Sequence, residues 1–358
     1  MKTKLILLWQ KIKSHPKISI PVALAIVLAV GALIYFHPFS FFKTTRDLTV
    51  AKKTATKPTT KASPLTGLQV APELADRPIT AIVIENLYPD ARPQSGLGQA
   101  GVVYEALAEG GITRFLAFFL DTQPASLGPV RSLRTYFVDW GLEFNAPVAH
   151  CGGNIDALDL IGPLGLKDMN QFAYGSSFYR TNDRYAPHNL YTSTQLLDKL
   201  EQVLGFNQPA NFTVSPRKKD SPANPPNAST INIDYSYPAY AVIYKYNAAT
   251  NDYIRYLGGV PHVDRNTGQP IHVKNVVVEY MPTSYGYTRI GQAAVVMGTV
   301  GSGKSIVFRD GTAVEGTWSK TSHNARTRLL DVAGQDISLN AGNTWYSIVP
   351  IGKLATYQ

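Results

Sequence analysis

The chain has 358 residues, with 34 Lys and Arg against 25 Asp and Glu, and one cysteine, Cys151. A single cysteine excludes an internal disulfide framework and any cysteine-rich zinc or iron–sulfur centre. The formal charge of +9 would ordinarily direct attention to nucleic acid. Residues 1–63, however, hold eleven of the basic residues and one acid, Asp47, so the remainder is near neutral and its bulk charge gives no support to a duplex-binding face.

In chain order, residues 1–17 carry five lysines. They are followed by nineteen residues without a charge, Ile18 to Phe36, which as a helix would be ~28 Å long, about one hydrocarbon core. The exit is aromatic and lacks a small-residue cleavage site, and no cysteine follows the run to accept lipid. The reading is a retained transmembrane signal anchor at 18–36, with a cytoplasmic basic segment at 1–17 and the rest of the chain extracytoplasmic, a single-pass protein of the cell membrane. Residues 37–63 end in a Thr-, Lys- and Ala-rich stretch that cannot offset its own ordering entropy, and read as a flexible spacer.

Two folded domains are predicted beyond the spacer. The first, 64–215, mixes strands and helices: a buried strand at Thr80–Ile84, strand-like runs at Val102–Glu109 and Ile112–Leu120 around Gly110-Gly111, a helix over Val130–Phe144, a short strand Ala146–His150, a helix from Asn154 or Ile155, and a helix capped by Thr192 or Ser193. A Pro-, Ser- and Asn-rich linker, 216–228, then leads to a smaller, mostly antiparallel β domain at 229–358, with β-branched runs such as Asn275–Tyr280 and a hairpin turn at Asp310-Gly311. The fold class is α+β.

One motif misleads. Gly298 to Ser305 fits the phosphate-loop pattern, but that chemistry needs a helix starting at the lysine, and Ser305-Ile-Val-Phe reads as strand. ATP is not expected as a partner. His262 to Gly268 reads as a tight Asx turn, since it has too few acids for calcium.

Candidate chemistry concentrates in the first domain. With Gly110-Gly111 as a two-residue turn, Leu107 would pair with Arg114 and Glu105 with Leu116, placing Glu105, Glu109 and Arg114 on one face. Arg131 and Arg134, flanking Ser132, would open the predicted helix, where free N–H groups and guanidinium forks suit an anion or an internal carboxylate. His150 ends a strand, and His188 lies near Arg180 and Arg184. Imidazoles suit proton transfer near neutral pH, yet a lone histidine is more often packed or capping. Cys151 reads as a small packed residue rather than a nucleophile. No metal-ligand spacing occurs and no cofactor is implied.

These residues also carry a family resemblance. Arg77 to Asn86, Ala91 to Leu97, Glu105 to Phe115, Gly128 to Arg134 and Ala186 to Leu190 resemble the YerB-like family of bacterial envelope proteins, often described as lipoproteins and built on a domain of unknown function. The run from Tyr240 through Trp318 to Trp345 is similar to that family's second domain. The resemblance implies an extracytoplasmic two-domain protein and no activity, so no catalytic residue is carried over. This chain departs in having an apolar helix and no lipid-accepting cysteine.

Three readings follow. The first is a cleft of Arg114, Arg131, Ser132, Arg134 and Arg180, with histidine and glutamate, that binds an anionic envelope polymer or a peptide carboxylate. The second is a hydrolase or transferase on phosphate- or sugar-containing substrates, with Glu105 or Glu109 and His150 or His188 as acid and base. The third is a non-catalytic protein–protein accessory factor in which these groups form one structural network.

Overall fold

The computed structural model describes residues 19–36 and 59–358, in two units that part between Lys57 and Pro58. The first unit contributes helix α1, Ser19–Phe36. At ~1.5 Å per residue α1 rises ~27 Å, under the ~30 Å of a hydrocarbon core. Among the described residues no helix is long and apolar enough to cross a membrane, so the span expected over 18–36 is not met by a described helix. The basic segment 1–17 and residues 37–58 of the expected spacer lie outside the described residues. The last residues of that spacer are part of the fold: Lys61–Ala62 pairs with Gln69–Val70, and the buried Ser63 donates to Asp121.

In the second unit the strands β1 (Thr80–Glu85), β2 (Val102–Leu107) and β3 (Thr113–Phe119) are buried along their whole length. Their runs of Val, Ile, Leu, Ala and Phe suit strands covered on both faces. Helix α2 (Thr135–Glu143), β4 (Val148–His150), α3 (Ile155–Leu164), β5 (Asp168–Asn170) and α4 (Thr194–Leu204) follow. Asn154 caps α3 through the Ala157 amide and Ser193 caps α4 through the Leu196 amide, which closes an orphan donor at each start. Then come β6 (Thr230–Ile233), β7 (Val242–Asn247), β8 (Asp252–Leu257), β9 (Asn275–Met281), β10 (Thr283–Tyr287), β11 (Ala293–Met297), β12 (Gly301–Arg309), β13 (Thr312–Lys320), β14 (Arg328–Leu330) and β15 (Thr344–Pro350).

One ten-stranded mixed sheet runs β14-β13-β12-β9-β15-β2-β3-β1-β4-β5. Its pairs β9–β15 and β15–β2 are parallel, so strands from the two ends of the sequence lie side by side at its centre. A second sheet holds β8-β7-β6 with the short strands Val260–Pro261 and Ala355–Tyr357 at its edges. Helix α2 lies on one face of the large sheet, where Tyr104 stacks between Trp140 and Tyr346. The second sheet lies on the other, where Arg255 of β8 meets Glu105 of β2. The sequence segment 216–228 therefore does not separate two cores. Arg217–Lys218 pairs with Leu339–Asn340, and Ala228 is fully buried.

The hairpin differs from the two-residue turn expected at Gly110-Gly111. Glu105 pairs with Phe115, Ala106 with Arg114 and Leu107 with Thr113. Both glycines take positive φ inside a longer loop, closed by the Ala108 amide on the Ile112 carbonyl. A slip of one residue turns every side chain to the other face, so Arg114 and Glu105 point to opposite sides of the sheet. The helix expected over Val130–Phe144 starts only at Thr135. Residues 130–133 are extended because their amides are spent on neighbours: Val130 on Leu190, Arg131 on Val83 and Leu133 on Gly152. The free N–H groups of a helix start at Arg131 are thus not available.

Candidate functional site

Seven of the nine expected residues gather where β1 and β4 end and β3 begins. Glu85, the last residue of β1, lies opposite Arg114 in the ladder. Its buried carboxylate bridges two side chains: Arg131 Nε at 2.9 Å and His188 Nδ1 at 2.9 Å. Arg134 grips Glu109 in a two-pronged pair, with Nε at 2.7 Å and Nη2 at 2.5 Å. Burial alone would raise the Glu109 carboxyl, but the hydrogen bond and charge of Arg134 outweigh it and hold it below the ordinary carboxylate range. The Ser132 carbonyl accepts from Arg114 at 2.9 Å and from Arg134 at 3.3 Å, bringing the two guanidinium groups together. Arg180 stands exposed at the rim, donating to Asn189 at 2.7 Å.

Four arginines thus face two glutamates, a local excess of positive charge. Arg114 feels it most. Its pKa is pushed down to about 10, first by burial and then by the neighbouring Arg134, while Tyr136 and Glu109 oppose the shift. Its Nε is buried without an acceptor. Cys151 sits beside Arg131 and Arg180, but burial pushes its thiol up, so it is a poor nucleophile.

Two expected residues do not join. Glu105 faces the second sheet, fully buried, and His150 is fully buried between the Gly152 carbonyl at 2.7 Å and the Asp168 carboxylate at 2.6 Å. The acid–base pairs of Glu105 or Glu109 with His150 or His188 do not form. Within the arginine cluster the carboxylate that meets the His188 imidazole is Glu85, which sequence reasoning did not select. Its signal was an acid closing the apolar run Thr80–Ile84 at a strand end.

Glu105 belongs to a closed ring of buried side chains. Arg255 Nη2 donates to Glu105 at 2.8 Å, and Arg255 Nε donates to His262 Nδ1 at 2.9 Å. Arginine is a donor only, so His262 must carry its hydrogen on Nε2, which meets Gln94 Oε1 at 2.9 Å. Gln94 donates to Asn86, Asn86 to Thr113, and the Thr113 hydroxyl to Glu105 at 2.8 Å. Every bond after Arg255 runs the same way round, an arrangement in which each polarises the next. Burial, then Arg255 and Arg92, hold the His262 pKa far below its usual value, consistent with this neutral tautomer.

The phosphate-loop pattern has another physical origin. Lys304 lies within β12, opposite Thr317, and no helix follows it. At Gly303 a Cβ would stand 2.7 Å from Trp318 Nε1, whose indole donates to the Tyr280 carbonyl at 2.9 Å. The glycine makes room for that contact. Asp264 forms the expected Asx turn, accepting from the Asn266 amide at 2.8 Å, and also holds the Gly96 and Gly98 amides.

Comparisons with known proteins agree with this architecture. Residues 65–207 match the N-terminal domain, and residues 231–346 the C-terminal domain, of a protein of unknown function, DUF3048. The chain is 33% identical over 295 residues to a Bacillus subtilis protein named "Putative lipoprotein YerB", covering 80% of this chain and 86% of that one. It is also similar to the crystal structure of the YerB protein from Bacillus subtilis, with a TM-score of 0.74 at 30% identity over 83% of this chain and 99% of the other. With both domains matched and a relative one-third identical along most of its length, this chain is a two-domain member of the YerB-like DUF3048 family.

Proposed function

We propose that this is an extracytoplasmic, membrane-associated envelope protein that binds an anionic ligand, a phosphate-bearing wall polymer or a peptide carboxylate, at the arginine surface around Glu85. The carrying observation is the uncompensated guanidinium charge: four arginines against two glutamates, with Arg114 depressed first by burial and then by its cationic neighbour Arg134, and its Nε unpaired. An anion seated against Arg131 and Arg180 would relieve that repulsion and gain charge-assisted hydrogen bonds. The surroundings support this placement: the relative is named as a lipoprotein, and five lysines precede an apolar stretch that can attach the chain to the bilayer.

The test is titration of the Arg131→Ala/Arg180→Ala variant with a glycerol-phosphate oligomer and, separately, with a carboxylate-terminated peptide. The expected result is a loss of about tenfold or more in affinity for one of them, steepest at low salt. Unchanged affinity for both, or no binding by the parent chain, would overturn the reading. A reporter fused after residue 358 that is active only in the cytoplasm would remove the extracytoplasmic placement.

A further inference from the structure

At the other end of α2 from the arginine surface lies a cleft of about 570 Å³, within the size range of small-molecule sites. One wall is the end of α2 with the segment Asn211–Pro216, and the other is the stretch Asn324–Leu329. This second wall is fixed by buried charge. The Glu143 carboxylate, the last of α2, takes Lys320 at 3.0 Å, Arg326 at 2.6 Å and the Thr327 hydroxyl at 2.7 Å. One turn earlier, Asp139 holds His323 at 2.6 Å and also the Thr299 hydroxyl. Buried ion pairs are weak sources of net stability. What these achieve is a rigid wall, formed before any ligand arrives.

We infer that this cleft is a binding site for an uncharged, hydroxyl-rich ligand of the oligosaccharide class. The charges that line it cancel in pairs, Glu143 with Arg326 at 2.6 Å on the floor and Arg328 with Asp336 at 2.8 Å on the rim, while Lys320 is fully enclosed behind Glu143 and does not line the cleft, so an anion finds little spare cation and a cation no spare carboxylate. A purely apolar ligand is disfavoured as well, because it would cover the amides of Asn145, Asn211 and Asn324 without pairing them. Between those amides run Leu142, Phe212 and Leu329. Phe212 is braced edge-on by Phe144, ring centres 5.1 Å apart. Apolar surface edged by amide donors and acceptors matches a sugar ring, with its C–H face and its hydroxyl rim. The inference does not depend on the arginine surface, which lies at the start of α2.

The experiment uses the full chain in a detergent without a sugar headgroup. Hydrogen exchange is followed by mass spectrometry with three probes: chitotetraose in its fully N-acetylated, uncharged form, a tetramer of galacturonic acid, and an uncharged naphthalene dye. Protection of 211–216 and 324–329 by chitotetraose alone is expected, with affinity lowered about tenfold in Asn211→Ala/Phe212→Ala. If that variant does not fold, Asn324→Ala, on an exposed loop, replaces it and should weaken binding several-fold. No protection, protection elsewhere, an equal response to the charged tetramer or the dye, or unchanged affinity in the variants would overturn the inference.

Discussion

Glu279 lies in the middle of β9, fully buried, and neither of its carboxyl oxygens has a hydrogen-bond partner. The hydroxyl of Ser305, its ladder partner, is also unpaired. Burial, and next the Glu143 charge, push the Glu279 pKa up to about 8 against the opposing pull of Arg326 and Lys320. The folded protein therefore holds a proton here that the unfolded chain has released. Stability from this group is full below the ordinary value of 4.5 and declines as pH rises towards about 8. At ~1.4 kcal/mol per pH unit, the cost at pH 7 is about 3 kcal/mol. Glu279→Gln keeps the shape and removes the ionisation. Urea unfolding followed by tryptophan fluorescence should show variant and parent within ~1 kcal/mol at pH 5, with the variant ahead by about 3 kcal/mol at pH 7. Glu201, also raised by burial to about 7, adds to the slope of both proteins and cancels in the difference. Parallel stability curves from pH 5 to 8, or a variant less stable at pH 7, would refute the argument.

Arg255→Leu should cost about 3–5 kcal/mol by stranding the Glu105 carboxylate, read as a drop in thermal midpoint; Glu105→Gln/Arg255→Leu should recover part of it. Asp310 accepts from Lys218, Asn251, Asn340 and the Ser221 amide, and although burial alone would raise its carboxyl, these bonds bring it down to about 2. Its contribution is present above pH ~4 and lost as pH falls towards 2, so Asp310→Asn, which tolerates the left-handed turn (φ 58°), should flatten the acid limb of the unfolding curve. Gly316→Ala places a Cβ 2.1 Å from the Leu330 carbonyl oxygen; the strand must shift, and a loss of about 1–3 kcal/mol is expected by denaturant titration.

Much of the local structure was legible, because each signal was short-ranged. The capped helices, the buried strand at Thr80 and the Asp310-Gly311 turn each follow from a few adjacent residues. The hairpin was not, because Gly110-Gly111 announces positive φ without fixing loop length, and one residue of slip reverses the face of Arg114 relative to Glu105. Nor was the start of α2 at Thr135, since what holds residues 130–133 extended is pairing with Val83, Gly152 and Leu190. The gathering of Arg114, Arg131, Arg134, Arg180 and His188 was anticipated from sequence; its hub, Glu85, was not. The ring through Arg255, His262 and Gln94 joins residues up to 168 positions apart, and no periodicity records such a contact.

The one-way circuit from Arg255 to Glu105 takes members from both matched domains. Cutting the gene between them would leave a guanidinium in one product and a carboxylate in the other, each shaped for a cavity it no longer has. The two matched segments therefore share one buried polar circuit, and each supplies the counter-charge that the other's interior requires.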